Sequence, residues 1–511
     1  MAGANPATPT TVAALSTFSP RPPPMQASGY EDSETLLAHR PAPSRSFLSG
    51  IISMASRRRF AVATCSLTAV SLLGLWFFGS LWAAGPKPVA VIEDEISTIP
   101  PIPINSSESS VAVVVDPLGP EFNLVGRPTK HFRDSLRPDR KYITSWISAG
   151  WTNDVMTYIN LIYLGIITDR IPIIPMFTPS HIGGAVPPID FGLVFDVPRL
   201  RTALGKPVLE WHQVKNRHSQ ELDEIGCWNT WEAVQEREAY PRRSQVPEHL
   251  KLDISYTKAP TWIKVIPHFE HDMHSSFWSL AALAFPEARS ANLVPPLKSP
   301  QNHVLLPPDE QLLCYDYLYY VCANQPFEFE FDYSPAWRFV GQYMYWTPTI
   351  ERLADQYVRR AIGAAEDHPT PPYIAIHVRR GDFKVWCDED TTGCFASLPV
   401  IARRVEEVKV ELRQRKGITV NHIIMTSDER NTTWWEDVKT LGWYPIDHSQ
   451  TGELLGPWYP VLIDAAIQSL GAGFVGTDRS TMSMLARKRV ESWSDGATRI
   501  FKWGKPDSDD H

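Results

Sequence analysis

The C-terminal part of this chain alternates buried-type strands with helices, and that alternation restricts it to a parallel α/β sheet. PPYIAIHV is an apolar strand that breaks into the polar run RRGDF. Residues 398–415 follow with helical spacing of apolar side chains, then the strand NHIIMTSDE, a helix over 458–470, the strand GAGFVGT and the helix STMSMLARKRV. Parallel neighbours cannot be joined by a tight turn, so each strand needs a crossover helix, and the pattern predicts a Rossmann-like lobe. The same logic begins earlier. YITSWIS reads as a strand, AGWTND as a loop, VMTYINLIYLGIITDR as a helix and IPIIPMF as a second buried strand, a βαβ unit. The expected architecture is two α/β lobes facing a cleft, over residues 139–345 and 346–505. The Trp- and Pro-rich stretch from about 200 to 345 is less regular and is expected to carry insertions and the acceptor side of the first lobe.

Upstream, Phe60 to Ala84 carries no charge and is longer than the ~20 helical residues a bilayer core requires. Arg57, Arg58 and Arg59 precede it, and Glu93, Asp94 and Glu95 follow. This bias predicts a transmembrane anchor over 60–84 with a cytosolic N-terminus and the large C-terminal part in the lumen. Residues 1–59, with PRPPP at 20–24, lack periodic apolar residues and read as a disordered tail. Residues 85–138, with STIPPIPINSSESS, read as a stem. The net charge of −8 is spread along the chain, and the only dense basic run adjoins the apolar segment, which argues against a nucleic-acid partner. Cys65 falls in the apolar run. Of the other five cysteines, Cys314/Cys322 and Cys387/Cys394 are close enough in sequence to close short loops in an oxidising compartment, leaving Cys227 over, although sequence does not fix connectivity. Asn105 and Asn431 begin glycosylation sequons. Most of the 18 Trp read as core.

Candidate site residues cluster where strands end, the ligand position of an open α/β sheet. Arg379 and Arg380 follow the strand containing His377. Two guanidinium groups there are costly unless they meet anions, and the planar fork of Arg suits phosphate; a surface Arg–Asp pair is the common alternative, but the position at a strand end rather than on a helix face favours phosphate. Gly381 permits a tight turn. Ser480 or Thr481 caps the next helix, whose free N–H groups face any phosphate, or is a cap and nothing more. Asp464, on an apolar helix face, needs a partner: a guanine edge or an ordinary salt bridge. Thr426–Glu429 either touches a ribose or terminates its strand. The cluster HFEHDMH (His268, Glu270, His271, Asp272, His274) lacks the HExxH spacing and reads as a solvated or acceptor-facing loop, with no metal expected.

YIAIHVRRGDF, HIIMTSDE and LIDAAIQSLGAGFVGTDRSTMSMLARKRV, in that order over about residues 373–490, resemble the GDP-fucose protein O-fucosyltransferase superfamily, which includes the α1,6-fucosyltransferases. SAGWTNDVMTYINLIYLGIITDRIPIIP resembles its first motif; the middle section shows no match. The resemblance implies a GT-B fold and an inverting, metal-independent transfer of fucose from GDP-fucose to a protein or glycan hydroxyl, with no cofactor. It implies His377 beside the guanine, Arg379 on the β-phosphate and the glycosidic oxygen, and Asp464 reading guanine. Ser480, Thr481 and Met482 lie around the phosphates, and Asn153 lies near the reacting centre; Arg380 is added to the phosphate contacts from the arginine pair itself. Relatives that carry a Glu base in the first loop differ from this chain, which has Ala149-Gly150-Trp151. The base is therefore unassigned; Asp154 is adjacent, and Asp382 reads as structural. A catalytically silent relative that binds a GDP-sugar or glycan, and an enzyme using another GDP-sugar, are the alternatives. The location implied is the Golgi or endoplasmic reticulum membrane, single-pass, with a lumenal catalytic part.

Overall fold

The computed structural model describes residues 116–509 apart from 181, 184, 236–238, 366–367 and 388–392. The expected tail, the apolar run Phe60–Ala84, most of the stem, Cys65 and Asn105 lie outside the described residues. Among the described residues no helix is long and apolar enough to cross a membrane.

The first sheet is built from β1 (Tyr142–Ser145), β2 (Ile171–Ile174), β3 (Leu209–Glu210), β4 (Asp223–Asn229), β5 (Leu252–Lys258) and β6 (Leu312–Tyr315). Its order is β3-β2-β1-β6-β4-β5, every pair parallel. All four residues of β1 are buried, as a central parallel strand covered on both faces requires. Helix α1 (Trp151–Ile167) makes the crossover to β2, and its Val155, Tyr158, Ile159 and Ile162 are fully buried. The middle section is therefore more regular than its composition suggests, because β4, β5 and β6 come from it. Residues 116–138, assigned to the stem by sequence, also pack on this sheet. Phe132 is fully buried, its N–H donates to Asp223 Oδ2, and Tyr142 Oη donates to the Asn123 carbonyl.

Topology decides the disulfides. Trp228 of β4 lies opposite Tyr315 of β6, so the preceding residues, Cys227 and Cys314, stand side by side with Cα atoms 4.6 Å apart and are bonded. Sequence proximity had pointed Cys314 toward Cys322 instead; Cys322 is buried with a free thiol. Cys387–Cys394 is bonded.

The second sheet follows α2 (Pro348–Ile362), which is capped by the Thr347 side chain. Its elements are β7 (Tyr373–Val378), α3 (Leu398–Lys416), β8 (His422–Ser427), β9 (Tyr444–Pro445), α4 (Tyr459–Leu470), β10 (Gly473–Thr477), α5 (Thr481–Ser494) and β11 (Ala497–Phe501). The order is β9-β8-β7-β10-β11, all parallel. Strand alternation sorts β7 onto two faces. Ile374, Ile376 and Val378 join Ile401, Val405, Val408 and Leu412 of α3 in one core. Ala375 belongs to the other core, with α4, α5 and the first lobe. His377 shares the parity of Ala375, so it faces α5 and the cleft. In each sheet the strand order reverses direction next to the first strand, at β1/β6 and at β7/β10. Such switch points leave a crevice outside the carboxyl ends of the strands.

Candidate active site

The end of β7 is laced to the end of β10 by hydrogen bonds. The Thr477 hydroxyl donates to the His377 carbonyl and accepts the Arg379 N–H, both at 2.9 Å. Thr477 N–H donates to Ser483 Oγ at 3.0 Å, and the same hydroxyl meets His377 Nδ1 at 2.8 Å. Burial, aided by the Arg379 charge, pushes the His377 pKa down to about 3, so the imidazole is neutral. With the Thr477 N–H already on its oxygen, the Ser483 hydroxyl suits the tautomer protonated on Nε2. Ser480 caps α5 by accepting the Ser483 N–H. Arg479, just before the cap, holds φ 64°, a left-handed backbone uncommon for a side-chain-bearing residue.

Arg379 is engaged on every edge of its guanidinium. Nε and Nη2 donate to the two oxygens of Asp382 at 2.8 Å each, and Nη1 lies 3.2 Å from Asp428 Oδ2. Burial works to lower its pKa, but the hydrogen bond and the charges of the two carboxylates outweigh burial and raise it. Asp428 also accepts the Arg380 and Gly381 N–H groups. Gly381 is required here for room rather than for an unusual φ, because a Cβ would come within 2.7 Å of Asp428 Oδ2. The acidic run after β8 thus fixes the arginine turn. Thr426 likewise spends its hydroxyl on the Ile376 carbonyl.

From the first lobe, α1 aims its N-terminus at the same place. Asp154 is buried and accepts the Ala149 N–H at 3.0 Å, which commits it to holding the loop before the helix. Thr152 Oγ1 lies 2.6 Å from Thr481 Oγ1, so the N-termini of α1 and α5 meet through two hydroxyls. Between them and the strand ends lies a cavity of about 450 Å³, a size ordinary for small-molecule sites. Asn153, His377, Arg379, Ser480, Thr481 and Met482 all line it.

Two residues read from sequence as donor contacts are placed elsewhere. Arg380 turns away from the cavity: its Nε pairs with Glu429 at 3.0 Å, and its guanidinium lies 5.0 Å from the Phe395 ring and 5.5 Å from the Trp434 ring. Consecutive residues leaving a strand point in opposite directions, so Arg379 and Arg380 cannot both serve one phosphate site. Asp464 lies one turn beyond the cavity-lining Pro460 and Val461, does not itself line the cavity, and bonds His448 Nε2 at 2.8 Å. The HFEHDMH loop divides. His268, Glu270 and His271 are exposed, whereas Asp272 and His274 are buried: Asp272 accepts the Ile266 and His274 N–H groups, and His274 Nε2 accepts the Phe327 N–H. Among the described residues no group of His, Cys, Asp and Glu is arranged to hold a metal ion.

The cavity also contains residues the sequence did not single out. Tyr319, Tyr320, Phe327 and Phe329 line it from the first lobe, and Phe383, Trp386 and Trp503 from the second. Asp478, Arg479 and Arg487 line it too. Arg487 was legible in principle, since it lies two turns beyond Ser480 on the helix that Ser480 caps. The aromatic residues after β6 were not, because no strand was read there.

The family profile for GDP-fucose protein O-fucosyltransferase (O-FucT) matches residues 150–491. No curated protein sequence matches. Among solved structures, POFUT1 in complex with GDP-fucose is 13% identical, with 72% of this chain and 99% of that chain covered at a TM-score of 0.44. The fucosyltransferase NodZ from Bradyrhizobium is 13% identical, with 68% and 93% covered at a TM-score of 0.34. A mutant of Arabidopsis thaliana FUT1 in complex with GDP is 12% identical, with 72% and 71% covered at a TM-score of 0.32.

Proposed function

The chain belongs to the GDP-fucose protein O-fucosyltransferase family, and on that footing we propose that it is an enzyme transferring fucose from GDP-fucose, with inversion, to a hydroxyl of a protein or glycan. The observation that carries this reading is the meeting of Arg379 with the Ser480-capped start of α5, opposite the start of α1, in one cavity at the sheets' switch points. Free N–H groups at two helix starts beside a guanidinium favour a diphosphate.

Each group has a part in the reaction. Breaking the bond between fucose and the β-phosphate leaves a growing negative charge on GDP. The N–H groups of α5 are fixed in advance by Ser480 and Ser483, so they stabilise that charge without reorganising, and Arg379, whose backbone N–H is held by Thr477, joins them with its guanidinium. Asp382 must yield the Arg379 fork for the phosphate to take it. Neutral His377, with Nε2 as donor, suits an acceptor atom of the base. Asn153, at the start of α1, stands where the leaving oxygen and the sugar would lie. We further propose a type II anchor at Phe60–Ala84 and a lumenal catalytic part in the Golgi or endoplasmic reticulum. The Cys227–Cys314 and Cys387–Cys394 bonds support an oxidising compartment.

The test is GDP binding by calorimetry together with GDP release from a panel of GDP-sugars. GDP-fucose is expected to be the preferred donor. Arg379→Ala should lower turnover by at least ~10²-fold, the usual loss on removing one preorganised donor. Undiminished turnover in that variant refutes the reading. GDP binding without release from any GDP-sugar assigns the chain to a silent binding role instead.

A further inference from the structure

Asp478, at the mouth of β10, has no use in the scheme above. It lines the cavity, and its backbone is held from both sides: its N–H donates to the Phe501 carbonyl at 3.0 Å, and its own carbonyl accepts Trp503 Nε1–H at 2.9 Å. The other carboxylates near the site have tasks. Asp382 pairs with Arg379 until the donor takes the fork, and Asp154 is buried under the first loop. Glu330, on the far wall, accepts from Arg487 through its backbone carbonyl and is engaged in a further contact. The half-buried Asp478 carboxylate forms no hydrogen bond or ion pair among the described residues. An unpaired negative group beside a diphosphate site opposes donor binding, so its presence there calls for another partner within the cavity.

The neighbouring rings indicate what that partner is. Phe383 and Trp503 stack with centroids 4.8 Å apart, and Phe395 extends the stack at 5.8 Å from Trp503. Phe383, Trp386 and Trp503 are half-buried and line the cavity beside Asp478. Aromatic side chains with a carboxylate beside them match a sugar, whose C–H groups pack on the rings while a hydroxyl donates to the carboxylate.

We propose that Asp478 with Phe383, Trp386 and Trp503 forms the acceptor subsite, that the acceptor is a sugar hydroxyl, and that Asp478 takes its proton. The proposal rests on the fucosyl-transfer reading. In the step, the acceptor oxygen bonds to the fucose anomeric carbon, the bond from that carbon to the β-phosphate oxygen breaks, and its electron pair leaves on GDP. The acceptor proton passes to the Asp478 carboxylate and then to solvent.

The experiment uses the full chain and four proteins: wild type, Asp478→Asn, Asp478→Glu and Trp503→Ala. GDP affinity is measured by calorimetry. GDP release from GDP-fucose is measured with a panel of methyl glycosides (galactoside, glucoside, mannoside and N-acetylglucosaminide) and with a Ser/Thr-containing peptide. At least one glycoside, and not the peptide, is expected to stimulate release. With it, Asp478→Asn should lower kcat by about 10²-fold or more, the range for losing a general base, while GDP binds more tightly than to wild type because the opposing charge is gone. Asp478→Glu should recover part of that turnover, and Trp503→Ala should act chiefly on the KM for the glycoside. Stimulation by the peptide alone, stimulation by no probe, or Asp478→Asn turnover within threefold of wild type each overturns the proposal while leaving the donor reading intact. Failure of the wild type to bind GDP defeats the donor reading, and the proposal with it.

Discussion

Arg379 holds two carboxylates in the place where a diphosphate is proposed to bind. Asp382 matches the fork of the guanidinium as a phosphate would, with two 2.8 Å contacts. It is therefore an internal competitor for the donor. Both side chains are about a third exposed, 33% and 39%, so solvent screens the pair. Its removal is worth on the order of 1 kcal/mol, a several-fold effect. Asp382→Asn is accordingly expected to tighten GDP binding severalfold in calorimetry; weaker binding would mean that the carboxylate positions Arg379 for the donor rather than competing with it. His377 makes a second prediction at this scale. Its pKa is about 3 in the fold against an ordinary 6.5. Between those values the unfolded chain binds a proton that the folded chain refuses, so stability is intact above about pH 6.5 and falls as pH drops below it, by up to about 1.4 kcal/mol per unit. Denaturant midpoints from pH 7 to pH 5 should therefore fall more steeply for wild type than for His377→Gln, and equal slopes would contradict a neutral buried imidazole. Sequence located both residues but not their surroundings. Adjacent Arg379 and Arg380 were read together because one strand end supplied both, and only the backbone directions separate them.

At the scale of elements, local pattern was informative wherever a segment's own residues decide its state. The helix expected over 398–415 spans Leu398–Lys416, and that over 458–470 spans Tyr459–Leu470. The helix read at VMTYINLIYLGIITDR begins earlier, at Trp151, because Gly150 rather than a polar side chain sits at its N-cap. Strands β7, β8 and β10 were legible as apolar runs bounded by polar ones. Strands β9 and β11 were not: β9 has two residues, and the middle of β11 (Thr498, Arg499, Ile500) is half-exposed, as suits the edges of a sheet. β4 and β6 were hidden in Trp- and Pro-rich sequence, and their adjacency depends on a crossover of more than eighty residues. That is why Cys227–Cys314 could not be read from spacing, whereas Cys387–Cys394, closed within one loop, was among the pairings spacing suggested. The site followed the same rule. Residues carried by strand ends and helix caps were found in advance, while the aromatic wall, delivered by loops, appeared only with the fold.

At the scale of the whole molecule, the two lobes share one core, and the guanidinium of Arg489 lies within it. Arg489 of α5 is 2% exposed, with its guanidinium 4.4 Å from the Trp346 ring and 5.6 Å from those of Phe195 and Trp493. Phe195 and Trp346 stack in turn on Trp151, the first residue of α1 and part of the cavity wall. The charge of one lobe's site helix thus rests on the aromatic stack that seats the other's. Burial alone pulls its pKa down to about 9, so the group is charged at neutral pH, and neither Nε nor Nη2 has a hydrogen-bond partner. Contact with the rings returns roughly 2 kcal/mol when desolvated, against a burial cost of several kcal/mol for an ion. For stability alone, a methionine of similar length is then the better occupant. Arg489→Met is expected to unfold at the same or a higher temperature than wild type at pH 7. Its GDP-sugar turnover should nevertheless fall, because the flexible thioether no longer fixes α5 against the stack beneath α1. A large drop in melting temperature would instead show that the ring contacts outweigh the burial cost. Unchanged turnover at full stability would show that the lobes hold their register without this cation.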